Sequence, residues 1–145
     1  MTTRAEVVRV ARTYIGTPFQ HMARAPGLGM DCSGLLICVG RELGLVPADF
    51  DVPPYTPTPD GRSMTAWCDA QMQRIDRAAM QPGDAILLVV DALPQHLGIL
   101  GDYLHGGLSI IHAANNASPP RVIETRLMFS RAQRFVAAYV LPGVE

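Results

Sequence analysis

Apolar residues recur with two different periods along this chain, and the change between them falls near its middle. Over residues 4–15, Val7, Val10, Ala11, Tyr14 and Ile15 keep the three- and four-residue spacing of a single helix face. Thr3 and Glu6 stand at capping-box spacing ahead of that stripe, and Gly16 closes it. A second apolar run, residues 35–43, follows Cys32 and stops at Gly44, which predicts a second helix that Gly40 weakens locally. A third, weaker helix is expected over 63–75, with Met64, Trp67, Cys68 and Ile75 on one face. From Ala85 the spacing becomes that of strands, predicted at 85–90, 97–100, 108–111, 121–124 and 135–141. Helices first and strands afterwards predict an α+β domain, with one domain over 1–145 and no repeat or internal boundary. Residues 46–61 carry Pro47, Pro53, Pro54, Pro57 and Pro59, which predicts a long irregular loop. A loop of that length is functional or disordered more often than not, and we expect it to form a lip of a substrate cleft or a stiff connector.

The chemistry concentrates at Asp31-Cys32-Ser33-Gly34, where a loop containing Gly27 and Gly29 gives way to the second helix. A thiol in a first helical turn faces unpaired N–H groups and the positive end of the macrodipole, so the position predicts a thiolate nucleophile. Cys38 and Cys68, inside helix-like runs, read as small buried hydrophobes. Two histidines lie in the strand region, His96 and His112. If 97–100 and 108–111 pair around a loop at 101–107, with Leu100 opposite Leu108, then His96 falls opposite His112. Directly opposed residues have Cβ atoms about 4.5 to 5.5 Å apart. That register allows a Cys32, His96, His112 relay. The same three side chains also suit zinc, although no short-spaced ligand pair accompanies them. Asp31 and Ser33 fit either helix capping or contact with substrate. His21 and His105 read as loop histidines, of which His21 is the better candidate for a cleft contact.

Several short motifs in this order resemble the NlpC/P60 cysteine peptidases. Ile15-Gly16-Thr17-Pro18-Phe19 followed by Asp31-Cys32-Ser33-Gly34-Leu35 looks like the N-terminal half of that domain. Gln81-Pro82-Gly83-Asp84, His96-Leu97-Gly98-Ile99 and Ile111-His112-Ala113 look like the second half. The resemblance implies a papain-like α+β fold, with the nucleophile at a helix N-terminus packed on an antiparallel sheet. It also implies a thiol peptidase that needs no cofactor or metal and hydrolyses stem peptides of bacterial peptidoglycan, after γ-linked D-glutamate and before the diamino acid. Cys32 is then the nucleophile, His96 the general base and His112 the orienting residue. Asp31, Ser33, Phe19 and His21 are the implied substrate contacts, Asp31 by way of a substrate ammonium. Two features depart from the family pattern. Phe19 stands where many members have tyrosine, and His21-Met22-Ala23 replaces the usual Trp-Gly-Gly. The approach to Cys32, Arg41-Glu42-Leu43 and the segment from Ile123-Glu124 to Val140 resemble the branch found in phage tails and prophages. Other tail proteins are therefore expected partners. A structural or wall-binding tail module of the same fold, and acyl transfer to an acceptor other than water, use the same residues.

Charge narrows the classes. Twelve basic residues against 13 acidic ones give a net charge of −1, which offers no footprint for nucleic acid or for anionic membranes. At 145 residues and 48% hydrophobic composition the chain can bury a core without disulfides. Three cysteines leave at least one thiol free, which suits folding in a reducing cytosol. Arg4, Glu6, Arg9 and Arg12 interrupt the first residues, so no secretory signal is expected there. The expectation is synthesis in the cytoplasm and action on the wall as part of a virion or prophage tail.

Overall fold

The computed structural model describes residues 1–58, 60–90 and 93–145; Pro59 of the proline-rich segment lies outside them. Three helices pack on one face of a six-stranded antiparallel sheet. The helices are α1 (Arg4–Thr13), α2 (Cys32–Glu42) and α3 (Ser63–Gln71). A two-stranded hairpin, β1 (Arg24–Ala25) and β2 (Gly29–Met30), precedes α2. The sheet holds β3 (Gln73–Ile75), β4 (Ala85–Val90), β5 (Leu93–Asp102), β6 (Leu108–Ala114), β7 (Arg121–Arg126) and β8 (Gln133–Val140), in the order β3-β8-β4-β5-β6-β7.

The capping box of α1 forms: Thr3 Oγ1 accepts from Glu6 N–H at 3.2 Å, and Glu6 Oε2 accepts from Thr3 N–H at 2.8 Å. Val7, Val10, Ala11 and Tyr14 are buried, whereas Ile15, expected on that stripe, lies beyond the helix end and is 46% exposed. The predicted third helix is shorter than expected. It ends at Gln71, and Ile75 belongs to β3, which pairs with β8 at the sheet edge. Three residues of strand, two of them polar, leave too short a trace to show as a change of period.

The main core lies between helices and sheet, where Val7, Val10, Leu35 and Val39 meet Leu87, Ile99, Ile111 and Tyr139. Ile86, Leu88, Leu100 and Ile110 form a smaller core on the opposite face, covered by Met80, Leu108, Leu127 and Phe135. Gln81-Pro82-Gly83-Asp84 turns the chain into β4. Asp84, fully buried, accepts from Arg4 Nε at 2.7 Å and from Gln81 N–H at 2.9 Å. Gly83 has φ +96° and lies against the backbone of Arg4, leaving no space for a Cβ. The two chain ends meet: Thr2 bridges Val144, and Glu145 N–H donates to Thr2 O at 3.1 Å.

Candidate active site

Cys32 is the first residue of α2, and Asp31 is its N-cap. The Asp31 carboxylate is 3% exposed and accepts from five donors. Its Oδ1 takes Gly34 N–H at 2.8 Å, Arg24 Nη1 at 2.8 Å and Ser33 Oγ at 3.2 Å. Its Oδ2 takes Met22 N–H at 2.8 Å and the phenol of Tyr55. Met22 stands at φ 61°, a left-handed conformation in the stretch that replaces Trp-Gly-Gly. Tyr55, from the proline-rich loop, also contacts Ser33 Oγ at 2.8 Å and accepts from Arg24 Nη2 at 2.9 Å.

The hairpin that carries the histidines has a register two residues away from the expected one. Leu100 pairs with Ile110, not Leu108, and the turn spans 103–107 because β5 runs past its apolar stretch to Asp102. A two-residue shift preserves the face on which each side chain lies. The rungs between β5 and β6 run from Asp102/Leu108 to Ile99/Ile111, although both strands continue past that point toward the histidines. Cys32 lies at these rungless ends, its Sγ donating to Gln95 O at 3.6 Å. His96 Nε2 and His112 Nδ1 share a hydrogen bond of 2.6 Å, with the rings nearly perpendicular at 77° and centroids 4.8 Å apart. When His96 Nε2 carries the proton of that bond, its Nδ1 is left as the basic nitrogen. His112 Nε2 is buried without a hydrogen-bond partner.

The surroundings of Cys32 work against the expected thiolate. Burial pushes the Cys32 thiol up to about 11, and the Asp31 charge adds to this against the N–H groups of Leu97 and Ser33 that favour the anion. The helix terminus that was to stabilise the sulfur is capped by a carboxylate. Burial also holds His96 and His112 well below the ordinary histidine range, and for His96 the neighbouring His112 adds to the effect. The charged form of each of the three is thus disfavoured.

Cys32, His96 and His112 open into a cleft of about 730 Å³. Phe19, His21 and Asp31 line it, and Pro54 to Thr58 with Asp60 form one wall, as expected of a cleft lip. Ser33 lies behind that wall, buried and hydrogen-bonded to Asp31 and Tyr55. His21 Nε2 meets Tyr55 O at 3.1 Å, which fastens the loop to the cleft edge. Asn115, Asn116, Gln95 and Gln133 supply uncharged amides to the lining. No group of three His, Cys, Asp or Glu side chains among the described residues stands close enough to hold a metal ion. The ring nitrogens that face each other are engaged in the 2.6 Å bond. Arg24 and Tyr55 escaped sequence reasoning, since neither sits in a motif and only the fold brings them to Asp31.

The packing of these helices on an antiparallel sheet has solved counterparts. The NlpC/p60 domain of peptidoglycan hydrolase SagA superposes with a TM-score of 0.61 at 22% identity, covering 97% of this chain and 100% of that one. This chain has the NlpC/P60 fold. NlpC2 from Trichomonas vaginalis superposes with a TM-score of 0.66 at 21% identity, over 97% of this chain and 47% of that one. In sequence, a probable endopeptidase of Mycobacterium tuberculosis is 30% identical over 120 residues, 83% of this chain and 26% of that protein. The chain thus spans about a quarter of the curated relatives it matches. No family model matches it.

Proposed function

We propose that this chain is a single catalytic domain of the NlpC/P60 cysteine peptidase family, hydrolysing peptidoglycan stem peptides between γ-linked D-glutamate and the diamino acid. The observation that carries the reading is the His96–His112 hydrogen bond at the rungless ends of β5 and β6, beside Cys32 at the start of α2. The fold of a peptidoglycan hydrolase domain and the likeness to a probable endopeptidase support it.

Both partners begin neutral, so proton transfer from Cys32 to His96 accompanies attack on the scissile carbonyl and does not precede it. The N–H of Cys32, at the first position of α2, has no intrahelical acceptor and serves as a donor to the oxyanion. Protonated His96 gives its proton to the leaving amine, and water then cleaves the thioester. His112 fixes the ring angle and tautomer of His96. Phe19 packs at the cleft but has no hydroxyl to contribute. The motif resemblance to the tail branch supports action at the cell wall from a virion or prophage tail, after synthesis in the cytoplasm and beside other tail proteins.

The test is incubation with purified peptidoglycan and defined stem peptides, with products identified by mass spectrometry. A new amine on the diamino acid is expected. Release of intact stem peptides from the muramyl group would reassign the bond, and no product from a folded protein would leave a structural or wall-binding module.

A further inference from the structure

Asp31 is the acidic residue next to the nucleophile in the chain, and in the resemblance it receives a substrate ammonium. Here that role is already filled. A carboxylate offers about four lone-pair sites, and Gly34 N–H, Arg24, Ser33, Met22 N–H and Tyr55 bring five donors to it. Arg24 also neutralises its charge, in an ion pair whose side chains are 7% and 5% exposed. An ammonium arriving at Asp31 would meet that guanidinium and would have to displace a donor.

Tyr55 is the donor on the cleft side, and it is held from several directions. Its ring packs edge-on against His21 at 5.2 Å and tilted against Trp67 at 5.4 Å. The loop behind it is fixed by Arg24 Nε on Asp51 at 3.2 Å and by Arg41 on Phe50 O at 2.6 and 2.9 Å. Burial and the bond to Asp31 push the phenol up to about 12, so it remains a donor across the working pH range.

We propose that Tyr55 closes Asp31 to a substrate ammonium and so determines specificity. The cleft then takes stem peptides whose first residue is amide-linked, as in strands still attached to the glycan, in preference to peptides with a free amino end. This rests on the peptidase reading above and names the substrate class of that site. Arg24 and Ser33 are positioning residues that hold the carboxylate and the phenol together.

The experiment uses Cys32→Ala protein, which binds without turnover, and isothermal titration calorimetry with L-alanyl-γ-D-glutamyl-diaminopimelate and its N-acetyl form. With Tyr55 present the acetylated peptide is expected to bind at least as tightly as the free one. Tyr55→Phe keeps the ring on Trp67 and frees one position on Asp31. It should tighten the free-amine peptide by about 10-fold, the worth of a hydrogen bond to a charged group, and move the acetylated one by less than about twofold. A free-amine peptide bound about 10-fold more tightly with Tyr55 in place would overturn the proposal and leave the peptidase reading standing. A Tyr55→Phe shift that is equal for both peptides, or nil, would overturn it as well. No binding of either peptide to either protein would overturn the proposal and the peptidase reading together.

Discussion

Cys32 and its two histidines line one cleft, and burial disfavours the charged form of each, which sets their reactivity. Alkylation of Cys32 by iodoacetamide is expected to be slow at neutral pH and to rise about tenfold per pH unit toward its value near 11. A fast, pH-independent rate below pH 8 would show a preformed thiolate instead. Cys38 and Cys68 are 4% and 3% exposed and should label later still, and their replacement by alanine should preserve the activity that Cys32→Ala abolishes. The histidines should differ in cost. His96→Ala removes the group that moves protons and should lower kcat by about 10²- to 10⁴-fold. His112→Asn keeps a hydrogen-bonding amide beside His96 and should cost less than His112→Ala, and both less than His96→Ala. Kinetics in which His112 mattered more would reverse the two roles. At this scale the sequence was readable wherever chemistry and position coincide, as at Cys32 after a capping aspartate. It could not show that burial, with the Asp31 charge adding to it, would outweigh the helix terminus at the sulfur, because that depends on how the folded elements enclose the thiol.

Between elements, the candidate site depends on β5 and β6 ceasing to exchange rungs beyond Ile99 and Ile111. Gly98 sits just past that point, and a Cβ added to it would meet Ile110 Cγ1 at 2.6 Å and Ile111 O at 3.1 Å. Gly98→Ala should therefore force the strands apart. A stability loss of about 1–3 kcal/mol is expected from overpacking, together with a fall in kcat larger than the loss of folded protein explains. Thermal denaturation and kcat measured on the same preparation check this, and an unchanged kcat would show that the histidine pair tolerates strand movement. The alternation of apolar residues revealed that both histidines share a face but not their rung, because strand ends set the register and Asp102 and Ala114 lie outside the apolar runs. β3 was hidden for a related reason: Ile75 continues a helical spacing by coincidence, and only pairing with β8 makes it a strand.

For the whole molecule, the buried neutral histidines couple folding to acidity. Their pKa values are depressed in the folded chain, so between those values and about 6.5 the unfolded state binds protons that the folded state refuses. Stability is then greatest above about pH 6.5 and falls as pH drops toward about 4, where His112 itself takes a proton. Each group contributes up to about 1.4 kcal/mol per pH unit in that window. Denaturant titrations at pH 7, 6 and 5 should show the decline, and His112→Asn should flatten it; parallel slopes in the two proteins would place the acid sensitivity elsewhere. A separate consequence lies at the opposite end of the scale from any proton. Thr2 and Val144 are bridged, so the polypeptide enters and leaves this fold at one spot. A domain with that geometry can be spliced into a surface loop of a host protein, or have its ends joined and new ones cut elsewhere, without pulling its core apart. The fold is in that sense portable.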